Sequence, residues 1–324
     1  MPWNFPFWQV FRFAIPALLA GNTILLKHAS NVSGCALQIE RIFKLAGFTE
    51  NELQTLIIAS SMVKGVIEDN RVKAVTLTGS EYAGSQVASV AANQIKKAVL
   101  ELGGSDPFIV FHDAELELAV QEAINTRFLN CGQSCISGKR FLIESSIYDE
   151  FLELFKLKLD GLTQGLPETL STRLGPMASV HLADKLNEQI VESVKLGAKL
   201  YGGDRGEHAF LSPGILSNIP KNAPAYNEEL FGPIASFYSF EDKKEAIEIA
   251  NCTSFGLGSS VWTNDESTKS YMIEHLEAGS VFVNSMVRSD PRLPFGGIKK
   301  SGYGRELSKE GIREFMNLKT VYIK

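Results

Sequence analysis

The sequence is poor in cysteine, in long apolar runs and in metal-binding patterns. Its four cysteines are too few for a disulfide framework in 324 residues, and none belongs to a CxxC pair of the kind that binds zinc. A membrane-spanning helix needs about 18 consecutive apolar residues, and no stretch of this sequence comes near that length. The first residues also lack the positive charge of a signal peptide. We therefore expect a reduced, cytoplasmic compartment, no metal and no membrane partner.

Basic residues are also in short supply. The chain has 32 Lys and Arg against 37 Asp and Glu, a net charge of -5, and its basic clusters are only pairs. Nucleic-acid-binding proteins normally carry a basic stripe, so no nucleic-acid partner is expected. The remaining composition, 44% hydrophobic and 21% charged, is typical of a globular protein, and the length suggests two domains.

Strands and helices alternate along the first 102 residues, which predicts a parallel sheet with crossover helices. The predicted strands cover 23–27, 54–59, 72–77 and 97–102, and the predicted helices cover 8–20, 34–46, 62–69 and 81–93. A second α/β unit is predicted from about 103 onward, ending in an alternating edge strand at 318–323. Ser33 and Asp113 are the predicted N-caps of the helices that follow them.

The segment Asn-Cys-Gly-Gln-Ser-Cys at 130–135 places Cys135 on a glycine-containing loop between a predicted helix and a predicted strand. Cysteines held on loops by rigid elements can be exposed and reactive. The alternative is a buried, inert thiol, which is a common state of free cysteine. None of the five histidines stands in a protease-like pattern, so papain-like chemistry is disfavoured.

Two further features are compatible with catalysis and cofactor binding. Glu101 ends an apolar strand just before Gly103 and Gly104, and burial there would raise its pKa toward the range of a general base. A side chain that reaches solvent is the alternative. At Gly79 and Ser80 a predicted strand turns into a helix whose N-terminal amides suit a phosphate, although an ordinary structural turn has the same pattern.

Seven segments, in this order, resemble the aldehyde dehydrogenase superfamily. They are PWNFP (2–6), GNTILLK (21–27), VTLTGS (75–80), LELGGSDP (100–107), GQSC (132–135), EELFGP (228–233) and PFGGIKKSGYGRE (294–306). The resemblance covers essentially the whole chain. It implies an α/β fold with a Rossmann-type cofactor domain, incomplete at its N-terminus, an α/β catalytic domain and a C-terminal oligomerisation strand.

The resemblance implies the oxidation of a small aldehyde and assigns it to three residues. Cys135 is the expected nucleophile, which forms a thiohemiacetal and then a thioester. Asn4 is expected to hold the oxyanion with its side-chain amide. Glu101 is expected to activate the water that hydrolyses the thioester, so no catalytic histidine is needed.

The resemblance also implies NAD or NADP as cofactor. The expected contacts are Gly79 and Ser80 at the pyrophosphate, Lys27 at the adenosine ribose, Glu229 and Phe231 at the nicotinamide ribose and ring, and Trp3 beside the site. Many NAD-preferring relatives carry a glutamate three residues after the lysine, where this sequence has Ser30. The repulsion against a 2′-phosphate is therefore missing, so NADP is permitted, and a preference for NADP is a hypothesis.

Two segments, LLKHA (25–29) and ELGGSDPFIV (101–110), resemble the bacterial succinate-semialdehyde dehydrogenases within the superfamily. That resemblance implies a distal carboxylate held by Arg12 and Ser289. A second arginine is usual six residues before the cysteine, where this sequence has Leu129, and Arg127 is a candidate replacement. The alternatives are that Arg12 serves only its own helix and that Ser289 is plain loop.

The motif order predicts a partial cofactor domain at 1–102, a catalytic domain at 103–306 and a C-terminal segment at 307–324. In the superfamily a substantial region precedes PWNFP, so we expect the chain to begin inside its cofactor domain, and the full-length protein to be a dimer or tetramer. Alternatives to succinate semialdehyde oxidation are an inactive or structural fragment, another small aldehyde, and transfer of the thioester to coenzyme A. A further hypothesis is an oxidative Cys131–Cys135 pair, against an inert Cys131.

Overall fold

The computed structural model describes all residues 1–324. Its α-helices are α1 (Trp8–Leu19), α2 (Ser33–Leu45), α3 (Val63–Glu68), α4 (Glu81–Asn93), α5 (Leu116–Phe128), α6 (Tyr148–Asp160), α7 (Val180–Lys195), α8 (Pro224–Asn227), α9 (Lys243–Asn251), α10 (Glu266–His275) and α11 (Ser308–Glu314). Its strands are β1 (Ile24–Leu26), β2 (Leu53–Thr55), β3 (Ala74–Thr78), β4 (Lys97–Glu101), β5 (Asp106–Val110), β6 (Gly138–Glu144), β7 (Lys199–Gly202), β8 (Gly214–Ser217), β9 (Ile234–Phe240), β10 (Phe255–Gly256), β11 (Gly258–Trp262), β12 (Ser280–Val283), β13 (Ile298–Lys299) and β14 (Gly302–Tyr303). Single 3-10 turns lie at Ser30–Val32, Ser60–Met62, Leu129–Gly132 and Ser145–Ile147.

The chain forms two compact units. One comprises Met1–Leu102 together with Ser289–Lys324, and we call it the split unit. The other is the uninterrupted stretch Gly103–Arg288, which we call the continuous unit.

The split unit holds two small sheets where one parallel sheet was predicted. β1 pairs in parallel with β2, and β3 pairs in parallel with β4. β14 adds an antiparallel strand to β4, with Gly302 opposite Glu101. Gly302 has φ 115°, and a Cβ there would lie 1.9 Å from the carbonyl oxygen of Leu100, so this pairing requires glycine. The four predicted strands therefore form, but they do not share one ladder.

The continuous unit is built on a seven-stranded sheet in the order β12-β11-β5-β6-β9-β8-β7. All neighbours pair in parallel except β7 and β8. Side chains alternate between its two faces: Phe108 and Phe141 enter one apolar core, whereas Ile109 and Leu142 enter the other. Burial on both faces explains why the central strands read as continuous apolar runs in the sequence.

Both predicted N-caps are wrong. α2 begins at Ser33 itself, whose hydroxyl donates to the carbonyl of Ser30 at 3.0 Å. α5 begins at Leu116, and the Asp113 carboxylate instead accepts from the Thr263 hydroxyl and from the next two backbone amides, at 2.8 Å each. Asp113 thus stabilises a turn 150 residues away in the sequence rather than its own helix.

The C-terminal tail beyond α11 has no regular secondary structure. Leu318 and Ile323 expose 105% and 87% of their reference surface. The predicted edge strand at 318–323 is therefore wrong for the single chain, because no strand in this chain pairs with it. None of the eleven helices combines the length and apolarity needed to cross a membrane.

Candidate active site

Cys135 lies in the continuous unit, on the loop that joins α5 to β6. The 3-10 turn at Leu129–Gly132 leads into this loop, and Asn130 and Cys131 there have φ of 52° and 56°. Both are non-glycine residues in the left-handed region, a conformation that persists only where the surroundings impose it. Cys135 itself is half-buried, so a part of it is open to solvent, as a nucleophile requires.

Contacts of Gly132 and hydrogen bonds of Arg127 hold this loop in its shape. A Cβ on Gly132 would lie 2.3 Å from the carbonyl oxygen of Gly232, so the GQSC loop touches the EELFGP loop backbone to backbone. The Arg127 guanidinium is fully buried, and it donates to one hydroxyl and four backbone carbonyls, those of Ser137, Gly138, Gly132, Leu230 and Gly232. One charged side chain therefore holds both loops in place.

This role excludes Arg127 as a second substrate clamp. Its exposure is 0%, and its terminal nitrogens are occupied by protein acceptors. The proposal that Arg127 replaces the arginine missing at Leu129 is therefore wrong. The expected position is occupied by Leu129, which is half exposed and carries no charge. The continuous unit therefore has no second arginine for the substrate carboxylate there.

The two glycines of LELGGSDP allow Glu229 and the Cys135 loop to approach the same backbone. A Cβ on Gly103 would lie 2.5 Å from Oε2 of Glu229, and one on Gly104 would lie 2.7 Å from the Cys135 carbonyl oxygen. The Gly104 amide donates to Oε1 of Glu229 at 3.2 Å. Within the continuous unit the structure therefore brings together two of the predicted site residues, Cys135 and Glu229.

Glu229 also pairs with Lys139, a residue that the sequence did not single out. Lys139 Nζ lies 3.2 Å from Oε1 of Glu229, although the lysine side chain is only 2% exposed. Phe231, the predicted neighbour of the nicotinamide ring, follows two residues after Glu229 and is half-buried.

In the split unit, Glu101 ends β4 and is 2% exposed. Neither carboxylate oxygen has a hydrogen-bond partner, and a Cβ on Gly296 would lie 2.8 Å from Oε1. Burial raises the pKa of Glu101 well above its usual range, the charge of Glu306 raises it further, and Arg12 and Arg305 oppose these effects. The alternative of a solvent-exposed Glu101 is wrong, and the direction of the pKa is that of a general base.

Arg12 and Glu306 form a buried ion pair in the same unit, at side-chain exposures of 3% and 1%. The Arg12 guanidinium also lies over the Phe295 ring, 4.1 Å from its centroid. Ser289, the other residue expected at a substrate carboxylate, has a hydroxyl that is shielded from solvent and has no partner. A buried hydroxyl without a partner is costly, and a bound carboxylate would satisfy it.

The PWNFP segment is tied to the loop after β1 by His28. Its imidazole is 5% exposed and lies 3.0 Å from the Met1 carbonyl and 2.9 Å from the Pro6 carbonyl. Asn4 lies between these anchors, half-buried, and its Oδ1 accepts from Gln9 Nε2 at 3.1 Å. This bond orients the Asn4 amide with Nδ2 as its donor, which is the group that an oxyanion needs.

The other expected cofactor residues of this unit also lie on segment ends. Trp3 is half-buried beside Asn4, Lys27 is half-buried just after β1, and Ser30 is exposed in the 3-10 turn that follows. Lys27 and Ser30 flank His28, so the segment expected at the adenosine ribose is anchored by the same imidazole as the PWNFP segment.

The turn at Gly79 and Ser80 begins α4. Ser80 is exposed and caps the helix, its hydroxyl accepting from the Ala83 amide at 3.3 Å. The Gly79 amide donates to the Glu101 carbonyl at 2.9 Å, so the predicted phosphate turn and the predicted base adjoin within one ladder. Gly84 packs closely against Leu102, since a Cβ there would lie 2.6 Å from a methyl carbon of that side chain. The exposed first turn of a 13-residue helix suits a phosphate.

Cys131 is buried, and burial raises its pKa to about 12, an effect that Arg127 only partly opposes. A thiol with that pKa holds almost no thiolate at neutral pH, and the thiolate is the form that exchanges disulfides. The structure therefore favours the inert alternative over the redox pair.

Sequence reasoning missed three residues that shape the two units, namely Lys139, His28 and Glu306, and it gave the wrong role to a fourth, Arg127. Lys139 and Arg127 carried a signal of a structural role, because Arg127 lies in a predicted helix and Lys139 borders a predicted buried strand. A charged residue inside or beside a buried element needs a partner, even though the partner cannot be read from the sequence.

Comparison with known proteins agrees with the motif order. Residues 1–321 match the model of the aldehyde dehydrogenase family. The chain is 49% identical to the probable succinate-semialdehyde dehydrogenase [NADP(+)] of Synechocystis sp., and 50% identical to the succinate-semialdehyde dehydrogenase [NADP(+)] of Mycobacterium leprae; all of this chain aligns, with 72% and 71% of those proteins.

Among solved structures, Gox0499 matches with a TM-score of 0.97 at 42% identity, over 100% of this chain and 72% of that one. The succinic semialdehyde dehydrogenase of Streptococcus pyogenes, in complex with NADP+, matches with a TM-score of 0.96 at 38% identity, over 99% of this chain and 71% of that one. The predicted fold class is confirmed, and the chain belongs to the aldehyde dehydrogenase family.

Proposed function

We propose that this chain oxidises succinate semialdehyde to succinate with NADP+. The observation that carries the proposal is the identity of 48 to 50% over the whole chain with several NADP-dependent succinate-semialdehyde dehydrogenases. The half-buried Cys135 and the buried Glu101 supply the nucleophile and the base that such a reaction needs.

The residues at the proposed cofactor positions fit NADP. Ser80 presents the exposed N-terminus of α4 to a pyrophosphate, and Lys27 lies just after β1 for the adenosine ribose. Ser30 is exposed and uncharged, so no carboxylate at that position repels a 2′-phosphate. Glu229, held by the Gly104 amide and Lys139, would bind the nicotinamide ribose. When bound, NADP+ supplies the hydride acceptor.

The proposed sequence of steps uses three protein groups. The Cys135 thiolate forms a C–S bond with the aldehyde carbon, and the Asn4 amide holds the negative oxygen. Loss of hydride from that carbon leaves a thioester on Cys135. Water then adds to the thioester as Glu101 takes its proton, the C–S bond breaks, and the acid leaves with regeneration of the thiolate.

The distal carboxylate of the substrate is assigned to Ser289 and Arg12. The unpartnered Ser289 hydroxyl supports this assignment directly. Arg12 is already paired with Glu306, so it would attract the substrate carboxylate with a positive charge that Glu306 partly neutralises. Ser289→Ala should therefore raise KM for succinate semialdehyde roughly tenfold and leave KM for butanal unchanged.

A cytoplasmic location and a homo-oligomer complete the proposal. None of the four cysteines belongs to a disulfide, as in a reduced compartment. Leu318, Val321, Tyr322 and Ile323 are exposed on the tail, which supports burial of this segment against a second copy, measurable as molar mass by light scattering.

The deciding experiment measures reduced nicotinamide by absorbance, using this chain, succinate semialdehyde, butanal and each cofactor. We expect reduction of NADP+ with succinate semialdehyde and its loss in Cys135→Ser. Failure to reduce either cofactor would overturn the proposal in favour of an inactive chain. Formation of a thioester with added coenzyme A, without free succinate, would favour the acylating alternative.

A further inference from the structure

Lys139 occupies an irregular position in the central sheet. Between β5 and β6, Asp106 pairs with Gly138 and the next residue, Pro107, pairs with Arg140, so Lys139 is an extra residue bulged out of the ladder. Proline has no backbone N–H, so Pro107 makes no ladder hydrogen bond of its own that would hold the two strands in register. A bulge re-aims the side chain it carries, and such bulges are frequent next to functional sites.

The Lys139 ammonium is buried and paired. It donates to the carbonyls of Ser134 and Cys135, both at 2.8 Å, and lies 3.2 Å from Oε1 of Glu229. Two of the three N–H donors of the ammonium make these hydrogen bonds, and the Glu229 carboxylate supplies the counter-charge. A lysine that is 2% exposed would be costly without them.

Glu229 is fixed from two further directions. The Gly104 amide donates to the same Oε1, and the bare Cα of Gly103 lets Oε2 approach within a distance that a Cβ would block. Gly104 in turn lies against the Cys135 carbonyl. The Lys139 ammonium therefore connects the Cys135 loop to Glu229, and the glycine pair packs against both.

We propose that Lys139 is a positioning residue that links the seat of the nicotinamide ribose to the loop of the nucleophile. By holding the Glu229 carboxylate in one orientation, it orders that group before the cofactor arrives, and by binding two carbonyls it fixes the backbone at Cys135. This inference rests on the proposed function, in which Glu229 binds the nicotinamide ribose. Lys139 lies outside all seven segments that carry the family resemblance.

The link predicts a selective binding defect. Without the ammonium, the Glu229 carboxylate loses its counter-charge and its fixed orientation, so the cofactor must order it on binding. Affinity for NADP+ should fall about tenfold in Lys139→Met. Adenosine 2′,5′-bisphosphate has no nicotinamide ribose, so its affinity should not change.

The test is calorimetric titration of the full chain with each of these two ligands. Lys199→Met, an exposed lysine on β7 of the same unit, is the matched control and should bind both ligands like wild type. A double-mutant cycle with Glu229→Gln completes the design: in that background Lys139→Met should change NADP+ affinity less than twofold.

Three results would overturn the inference: unchanged NADP+ affinity in Lys139→Met, equal weakening of both ligands, or the same loss in the Glu229→Gln background. Should Lys139→Met not fold, Lys139→Gln repeats the comparison, because its amide can still donate to the two carbonyls while the charge is gone. Wild-type protein that binds NADP+ but reduces none of it would count against the proposed function alone.

Discussion

Asp106→Asn should make this protein more stable at neutral and alkaline pH and leave it unchanged in acid. Asp106 begins β5 at 1% exposure, and neither carboxylate oxygen has a full hydrogen bond. Burial raises its pKa from 3.8 to about 7, while Lys139 and the nearby Gly258 amide oppose the rise. The native state therefore holds a proton on Asp106 that the unfolded chain has already lost at pH 6.

The magnitude follows from the two pKa values. Because the native state binds more protons than the unfolded state between about pH 4 and pH 7, the free energy of unfolding falls as pH rises through that window. The difference of about 3 pKa units corresponds to roughly 4 kcal/mol, fully lost above pH 7. Asparagine has nearly the same shape and cannot ionise, so the variant lacks this loss.

The assay is urea unfolding from about pH 5 to about pH 8, followed by tryptophan fluorescence in a Trp3→Phe, Trp8→Phe background, where the signal comes from Trp262, buried in the same unit. The gap between Asp106→Asn and wild type should widen with pH and level off above about pH 7. The exposed Asp204→Asn is the control and should show no such gap. A gap that stays constant, or that widens toward acid, would refute the reasoning.

Three further predictions concern single residues. Gly132→Ala should lower the free energy of unfolding by about 2 kcal/mol or more, because φ is 69° and the new Cβ would meet a carbonyl oxygen at 2.3 Å. Calorimetry should show a lower Tm for this variant. The control Gly161→Ala, whose Cβ meets nothing closer than 3.5 Å, should keep the wild-type Tm. Peroxide should overoxidise Cys135 and leave Cys131 a thiol, since the Cys131 pKa is about 12; a Cys131–Cys135 link in non-reducing mass spectrometry would contradict this. Ser30→Glu should raise KM for NADP+ by roughly tenfold and spare KM for NAD+, and equal changes in steady-state kinetics would refute the placement of the 2′-phosphate.

Most features that depend on neighbours close in the sequence were predicted correctly, whereas features that depend on distant partners were not. Apolar periodicity and glycine stops located α1, α4 and the central strands of the continuous unit, because these depend on neighbours a few residues apart. The caps failed at Asp113, whose hydrogen-bond partners lie 150 to 152 residues away and compete with its own helix. Likewise, no local pattern distinguishes one parallel sheet from two small ones.

For the candidate site, the motifs nominated residues for the chemistry but not the residues that hold them in place. The apolar strand around Glu101 left two alternatives, burial or a side chain that reaches solvent, and the structure shows burial. Lys139 was not predicted, because its position depends on a one-residue register shift between two strands. The buried Arg127 looked like a substrate ligand in the sequence and is instead a backbone clamp.

The split unit has a consequence for synthesis of the protein. Its β4 strand, which ends in Glu101, is completed by Gly302 and Tyr303, and Arg12 finds its partner in Glu306, 294 residues later. During synthesis, β4 therefore lacks its β14 partner until Gly302 and Tyr303 have been made, whereas all strands of the continuous unit precede these residues in the sequence. We therefore expect the continuous unit to fold first during translation, with the surroundings of Glu101 and the buried Arg12–Glu306 pair assembled later.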